Sequence, residues 1–589
     1  MNKHTLKSKT LVFSLVVITS IFNNIFNNSL LAQTDVLISS IKKELNRSML
    51  ELKKEELPPY FLSYYVTETI NTTINSSFGK LIRGRDRASG YGVESHRRTV
   101  DVELRVGDYK LDNTHIIRGS YDPFGSWVTS ADLPLEDSEL ALRSALWLAT
   151  DAAYKKAIDS YEKALSNQAV MIAAEDTSDD FSKEKPVKYS EDLRSRYFQE
   201  NLVPKNESNA FIVDTAKWSA MICRLSSKFE KHKWLLSANV SFSAMLRNKL
   251  YVNSEGAEVI FPETYVRIMI SARTKAEDGM SLPLYKSYFS YAPDGLPEED
   301  EISKDIDNLI DMLYKLRTAP VATTFTGPAI LSGEAAGVFF HEIFGHRVEG
   351  HREKDPAFAH TFKHSINKKI LPEFISVDFD PTIKSINGKE ISGYYKYDDE
   401  GQKSQRVETV KNGIFKNYLM SRSPIEGFSN SNGHGRREAG RSAVARQSNL
   451  IVTSSKSKNF NELREQLIEE AKKQDKEYGL YFVDVTGGFT LLGRSHPNSF
   501  NVTPLVVYKI YVDGRPDELV RGVDLIGTPL TTFSNVISTG TDIGVFNGMC
   551  GAESGWVPVS AVSPSLLVST VEVQKKSKSQ TKLPILQAP

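Results

Sequence analysis

The chain has 589 residues and 73 side chains each of basic and acidic type, so its formal net charge is zero. Hydrophobic residues make up 40% and charged residues 25%, which is ordinary globular usage and argues against a disordered, collagen-like or coiled-coil chain. No excess charge supports a nucleic-acid partner. Only two cysteines, Cys223 and Cys550, are present, which excludes a disulfide-stapled scaffold.

The first 32 residues resemble a secretory signal. Lysines at positions 3, 7 and 9 precede an apolar run from Leu11 to Phe22, and Ala32 follows as a plausible cleavage point. The run is shorter than the roughly 20 residues of a bilayer-spanning helix. An uncleaved anchor is the alternative. We therefore predict a signal peptide over residues 1–32 and an exported, periplasmic mature protein without a stable membrane anchor.

Residues 33–319 mix helical and strand patterns and are predicted to form an N-terminal domain. Periodic apolar residues predict helices near 39–57, 137–165 and 301–316. Runs rich in β-branched and aromatic residues predict strands at 60–74, 99–106, 234–242, 249–252 and 264–272. The charged stretch 175–192 lacks core residues and is predicted to be a solvated loop or insertion.

After Pro320 the pattern changes to one short helical segment followed mostly by strands. The strands are predicted at 373–379, 448–453, 481–485, 503–512 and 565–572. Hairpin turn signals occur at 387–388, 412–413 and 513–514. We predict a large antiparallel β domain over residues 320–574 and a disordered tail over 575–589.

Histidine is unevenly distributed, and five of the eleven lie between residues 341 and 364. Ser332 can cap a buried helix that carries His341, where a His-Glu pair is costly unless bonded or bound to a metal. His346 follows five residues later, not four as in the familiar zinc-peptidase pattern. Because five residues turn about 140° round a regular helix, we predict a backbone irregularity between the two histidines. Gly345 is the residue best suited to permit a π-bulge or a helix ending there.

A catalytic zinc site needs a third protein ligand and one open position. His351 is the nearby candidate, and Cys550, flanked by small residues, is the distant one. Glu342 could act beside the ion as general base and then as proton donor. The alternatives are a helix whose polar residues simply face solvent, and a disulfide between Cys223 and Cys550 that would consume the thiolate.

Several blocks of the chain resemble the TldD/PmbA metallopeptidase family, over about residues 320–573 and more faintly in the N-terminal half. The helix block, from Gly333 to Gly350, resembles the metal-binding helix of that family. The other blocks that carry the resemblance are Tyr397–Gly401, Gly433–Arg437, Arg446–Asn449 and Gly540–Val573.

The resemblance implies metal ligation by His341, His346 and Cys550, with Glu342 as the catalytic carboxylate and one Zn²⁺ as cofactor. His351 is then an outer or surface residue. The chain keeps the full His-Glu-x-x-x-His set, which places it in the TldD-like catalytic branch, because PmbA-like chains lack the set and act as partners. The implied fold class is α+β, with an N-terminal α/β domain followed by a C-terminal antiparallel β-barrel-like domain that carries the metal-binding helix.

The function predicted from these features is zinc-dependent hydrolysis of short or unfolded peptides. The chain departs from the family in its export signal and in the insertion around residues 175–195, and both leave partner and substrate open. The partner is expected to be a second copy of the chain or a PmbA-like subunit. One alternative is a non-catalytic binding or scaffold subunit of such a dimer, and another is an exported structural protein with one disulfide.

Two further segments are candidates for substrate binding. Arg436 and Arg437 belong to a Gly-flanked basic loop that could hold a peptide carboxylate or contact Asp399. Gly487 and Gly488 follow a predicted strand and could let a peptide backbone approach closely. A flexible surface loop and a plain hairpin turn are the respective alternatives. The acidic residues 398–400 are interpreted as a turn and not as a metal-binding cluster.

Overall fold

The computed structural model describes residues 36–82, 93–117, 126–168, 177–191, 213–494, 499–527, 529–576 and 586. The predicted signal peptide and most of the predicted tail lie outside the described residues. Within the described part, no helix is both long enough and apolar enough to span a membrane.

Eight strands form the sheet of the N-terminal domain, in the order β4-β3-β1-β6-β7-β5, with β2 on β1 and β8 on β7. Every pair is antiparallel except β5 with β7. The strands are β1 Pro59–Ser77, β2 Lys80–Leu81, β3 Val93–Val106, β4 Thr129–Asp132, β5 Lys188–Ser190, β6 Ser237–Asn253, β7 Glu258–Lys275 and β8 Ser281–Ser290.

Four helices pack on this sheet; the three predicted ones are confirmed to within about five residues, and the helix at residues 215–227 was not predicted. They are α1 at residues 36–52, α2 Glu139–Gln168, α3 Thr215–Ser227 and α4 Glu299–Thr318. The apolar stripes of α1 and α2 share one hydrophobic cluster with β1 and β3. The stripes of α3 and α4 share a second cluster with β6, β7 and β8. The sequence predicted two strands where the single strand β6 lies, because the polar residues Arg247, Asn248 and Lys249 interrupt its apolar alternation after Leu246.

The C-terminal domain begins with β9 and contains most of the strands. They are β9 Phe325–Leu331, β10 Ile375–Phe379, β11 Ser385–Ile386, β12 Lys389–Glu390, β13 Val407–Lys411, β14 Ile414–Phe415, β15 Gly435–Arg436, β16 Val444–Ala445, β17 Asn449–Ser454, β18 Ser457–Lys458, β19 Tyr478–Leu491, β20 Ser499–Tyr511, β21 Glu518–Val520, β22 Val523–Gly527, β23 Val536–Ala552 and β24 Gly555–Lys575. Its helices are α5 Gly333–Ile343, α6 His351–Lys354, α7 Phe460–Lys473 and α8 Pro529–Ser534.

Twelve of these strands form one large sheet, so the α+β class is confirmed. β9 pairs with both β19 and β24, and the pairs β19–β20, β20–β22 and β22–β24 complete a closed circuit of five strands. Most pairs are antiparallel as predicted, but β9–β19, β17–β24 and β18–β23 are parallel. Parallel neighbours need crossover connections, which hairpin signals in the sequence do not reveal.

Helix α7 was not predicted, although the sequence carries its signal. Asn459 and Glu462 form a reciprocal capping box at its start. Leu463, Leu467 and Ala471 repeat at four-residue steps and form its buried face. This helix was missed because strand patterns dominate the C-terminal half of the sequence.

The strap formed by residues 177–191, in the charged stretch predicted as a solvated loop, is partly buried. Phe181 is 2% exposed and lies between two guanidinium groups, with Arg105 3.7 Å and Arg422 3.8 Å from its ring centroid. Asp180 is also buried and pairs with His115 and with Lys354. The prediction was wrong here because the partners that bury these side chains come from distant parts of the chain.

Phe181→Ala is expected to lower the free energy of unfolding by about 3–5 kcal/mol, the range for truncating a buried aromatic ring. The two guanidinium groups would also lose the ring between them. Urea titration followed by fluorescence measures the change. Lys185→Ala, an exposed change in the same strap, is the control. Equal stability of the two variants would contradict the docked strap.

The acidic turn at residues 398–400 joins the two domains. Asp399 accepts hydrogen bonds from Tyr65 (2.6 Å) and Lys249 (2.8 Å) of the N-terminal sheet and from the main chain of Arg437 (2.8 Å). Asp398 accepts from main-chain N–H groups, including that of Gly435. The turn interpretation agrees with this arrangement, in which the carboxylates bond protein donors.

Candidate metal centre

Helix α5 carries the first part of the site, and its start is fixed by a side-chain cap. Ser332 accepts a hydrogen bond from the N–H of Ala335 (3.2 Å) and donates one to the carbonyl of Val483 on β19 (2.8 Å). Almost every residue of the helix is buried, because it packs against β19, β23 and β24. The cap and this packing hold the helix at a fixed position on the sheet.

The predicted irregularity between the two histidines is confirmed as a helix ending. Helix α5 stops at Ile343, and a 3₁₀ turn follows over Gly345–Arg347. The turn brings the imidazoles of His341 and His346 together, with ring centroids 4.9 Å apart. A glycine at position 345 lets this turn pack closely against Gln447, since a Cβ there would overlap the side-chain amide of Gln447.

Cys550, on β23, completes a cluster of three metal-binding side chains. Its Sγ lies 3.4 Å from Nε2 of His346, and one donor atom from each of Cys550, His341 and His346 lies within 4.8 Å of the others. Ligands of a tetrahedral zinc ion, at about 2.1 Å for nitrogen and 2.3 Å for sulfur, lie roughly 3.6 Å apart. The donor set and its spacing therefore fit one divalent ion.

The other ligand candidates are not part of this cluster. His351 lies instead with its Nε2 3.8 Å from a carboxylate oxygen of Glu553. Both Cys223 and Cys550 are free thiols, so the disulfide alternative is wrong. Burial alone would raise the pKa of Cys550, but His346, His341 and Arg446 outweigh it and hold the pKa well below its ordinary value. The sulfur is therefore favoured as the thiolate, the form that binds metals.

Glu342 lies beside the cluster and lines the same cleft. Burial raises the pKa of Glu342, and the neighbouring His341 and His346 only partly oppose the shift. In the described part of the chain no side chain donates a hydrogen bond to its carboxylate. A buried carboxylate without a protein partner is costly, which is consistent with a functional group kept free for proton transfer.

A second layer of buried charge surrounds the ligands. Glu349 contacts His346, and Arg446 donates to both the sulfur (3.3 Å) and the carbonyl (2.7 Å) of Cys550. Neither Glu349 nor Arg446 was predicted to have a role, because charged residues are ordinarily exposed. The only local signal was an acidic residue three positions after His346.

A cleft of about 1650 Å³ opens over the cluster, between the two domains. The N-terminal wall includes Arg267, Tyr285 and Lys286, and the opposite wall includes residues 486–491 of β19. β9 pairs with β19 only at residues 480–482. The next bridge on this side of the chain joins Phe358 to Gly493, just past the end of β19. Among the described residues, no strand pairs with the edge of β19 between these points. The hydroxyl of Tyr285 donates to the carbonyls of Val485 and Thr486, so the open part of the edge is residues 487–491.

The two pairs of substrate-binding candidates lie in different places. Gly487 and Gly488 line the cleft. Arg436 and Arg437 are buried away from it: Arg436 donates to the carbonyls of Gln447 and Pro558, and Arg437 pairs with Asp101. The structure does not bring the two arginines to the ligand cluster.

Gly488→Ala is expected to lower kcat for the predicted peptide hydrolysis by about 10²-fold, with the chain still folded. A Cβ at this position would lie 2.7 Å from Cγ of Glu342 and 2.6 Å from the carbonyl oxygen of Asn501. It would displace the carboxylate, and a displacement of about 1 Å can cost that factor. Steady-state kinetics and thermal melting measure the effect.

Gly487→Ala is the matched control for this prediction. A Cβ there meets no atom within 4 Å. The backbone φ of +142° at this position is nevertheless strained for any residue other than glycine. Strain without a clash predicts a lower melting temperature and a smaller loss of kcat. An equal loss of kcat in both variants would contradict the role given to the contact with Glu342.

Residues 324–575 match the model of the "PmbA/TldA metallopeptidase C-terminal domain". A "Metalloprotease" of Archaeoglobus fulgidus is 28% identical over 268 residues, which cover 46% of this chain and 58% of that relative. A "Zinc metalloprotease TldD homolog" of Saccharolobus solfataricus is 23% identical over 58% of this chain and 72% of its own length. The alignments therefore cover little more than half of the first relative and about seven tenths of the second.

A solved structure supports the fold over nearly the whole chain. TldE from Thermococcus kodakarensis matches with a TM-score of 0.57 and 12% identity, covering 91% of this chain and 100% of that one. At this identity the likeness concerns the fold alone.

Proposed function

We propose that the chain, whose residues 324–575 match the model of the PmbA/TldA metallopeptidase C-terminal domain, is a zinc-dependent peptidase. One observation carries the proposal: His341, His346 and Cys550 place three donor atoms within 4.8 Å of one another, with Glu342 beside them in the cleft. Thiolate with imidazole favours zinc over the harder divalent ions.

The residues of the chain divide the chemistry between them. His341, His346 and Cys550 would hold the ion, which when bound supplies Lewis acidity to the scissile carbonyl and to water. Glu342 takes a proton from the attacking water and returns it to the leaving amine. Burial raises the pKa of Glu342, which makes its carboxylate a stronger base.

The substrate we propose is a short or unfolded peptide. An extended peptide can add to the edge of β19 at residues 487–491, which no described strand covers, through main-chain hydrogen bonds. Gly488 is part of that edge, and its close approach to Glu342 would place the added strand beside the carboxylate. A folded protein could not present an extended segment to an edge at the bottom of a cleft.

The partner and the compartment are further proposals. Phe489, Met549 and Trp556 line the cleft and are 55%, 43% and 58% exposed, more than is usual for such large apolar side chains. A second subunit, either another copy or a PmbA-like chain, would cover this rim. The signal-like residues 1–32 support export to the periplasm.

Metal analysis and chelation test the proposal together. The purified full chain is expected to contain one zinc ion and to hydrolyse an unfolded polypeptide. A chelator should abolish hydrolysis, and added zinc should restore it. The scaffold alternative predicts a chain without stoichiometric metal, or one whose behaviour does not change on chelation. Either of those results would overturn the peptidase proposal.

A further inference from the structure

Glu349 lies behind the metal-ligand cluster and is fully buried. Its Oε2 lies 3.0 Å from Nδ1 of His346, on the side of the imidazole away from Cys550. Its Oε1 accepts a hydrogen bond from the N–H of Gln447 (3.2 Å). The carboxylate therefore contacts a ligand directly without itself belonging to the cluster.

Two buried arginines hold Glu349 in place. Nη2 of Arg352 lies 3.0 Å from Oε2, and Nε of Arg446 lies 3.4 Å from Oε1. Arg446 also donates to the sulfur of Cys550. One carboxylate is thus linked to His346 directly and to Cys550 through a guanidinium group.

We propose that Glu349 is a positioning residue of the metal centre, an inference that rests on the proposed function. A neutral imidazole carries one proton, and the hydrogen bond at one nitrogen decides which nitrogen is free to bind a metal. By accepting from Nδ1–H of His346, Glu349 leaves Nε2 unprotonated, and Nε2 is the atom 3.4 Å from the sulfur of Cys550. Through Arg446, the same carboxylate fixes the direction of the sulfur.

The arrangement is costly unless it serves the site. A buried acid needs partners that meet its charge, and Glu349 has two arginines for this purpose, Arg352 and Arg446, which are buried with it. Among the described side chains, only the carboxylate of Glu349 orients both the imidazole of His346 and the thiolate of Cys550.

Cobalt binding by the full chain tests the inference. Co²⁺ replaces zinc in tetrahedral sites, and a thiolate ligand gives it a charge-transfer absorption. Glu349→Gln keeps an acceptor oxygen but loses the charge, and is expected to weaken Co²⁺ binding about tenfold. Glu349→Ala loses both and is expected to weaken binding by up to about 100-fold, with an altered charge-transfer band. If the alanine variant does not fold, the isosteric glutamine variant carries the test alone.

Glu553→Gln is the matched control. Glu553 also pairs with Arg352, at 2.6 Å, but is not in contact with His346. It is expected to keep the Co²⁺ affinity and spectrum of the unaltered chain. A merely structural role of Glu349 would lower the melting temperature equally with and without metal, whereas a positioning role reduces the stabilisation that the metal gives.

The outcomes separate the two proposals. Unchanged Co²⁺ affinity and spectrum in both Glu349 variants would overturn the positioning role and leave the peptidase proposal standing. Failure of the unaltered chain to bind Co²⁺ or zinc would instead overturn the proposed function. Weaker binding in the Glu349 variants, with the Glu553 control unaffected, supports the inference.

Discussion

Glu342→Gln is expected to leave the metal in place and to lower the rate of peptide hydrolysis by about 10²–10⁴-fold, the usual contribution of a general acid–base group. Glutamine has the same shape as glutamate but cannot take a proton from water. Because Glu342 is not one of the three clustered donors, metal content should stay at one ion per chain. Elemental analysis and kcat measured on the same preparation give the two halves of this result.

Glu353→Gln is the control for the first prediction. Glu353 is similarly buried, lies on the following helix α6, and is near Tyr418, whose pKa it helps burial to raise; it does not line the cleft. Its variant should keep both metal and hydrolysis. If Glu342→Gln retained full activity with metal bound, another group would have to be the base.

Cys550→Ala is expected to lose stoichiometric metal and, with it, peptide hydrolysis. Two imidazoles without the thiolate leave the ion short of the three protein ligands of a catalytic zinc site. Since the ion is worth several kcal/mol to the transition state, the loss of activity should reach about 10³-fold or more. Metal content after dialysis and kcat/KM measure the two effects.

Cys223→Ala is the matched control, because it removes the other cysteine of the chain. Cys223 lies on α3 in the N-terminal domain, where its sulfur accepts a weak hydrogen bond from Ser76 (3.5 Å). Metal content and activity should be unchanged. A loss of metal in this variant, or its retention in Cys550→Ala, would contradict the ligand assignment.

The sequence predicted what depends on neighbouring residues. The helix predicted at 301–316 is α4, Glu299–Thr318, because its apolar residues repeat at helical steps. His341, Glu342 and the irregular turn after them follow from five-residue spacing on a helix. Such features are local, so one stretch of sequence contains all the information that they need.

Features that depend on distant parts of the chain were predicted poorly. Spacing left Cys550 and His351 both open as the third ligand, and only the family resemblance favoured Cys550. Phe181 is buried by Arg105 and Arg422, which no pattern within its own segment indicates. The parallel pairing of β9 with β19 joins strands about 150 residues apart, as the register of Ala329 with Leu480 illustrates.

The order in which the ligands are synthesised has a consequence for when activity can begin. His346 and Cys550 are 204 residues apart, so at about 5–20 residues per second translation separates them by on the order of 10–40 s. The closed circuit of strands also needs β24, at the very end of the C-terminal domain. A growing chain therefore cannot complete the three-residue cluster before Cys550 is added, and the proposed hydrolysis would begin only after that point.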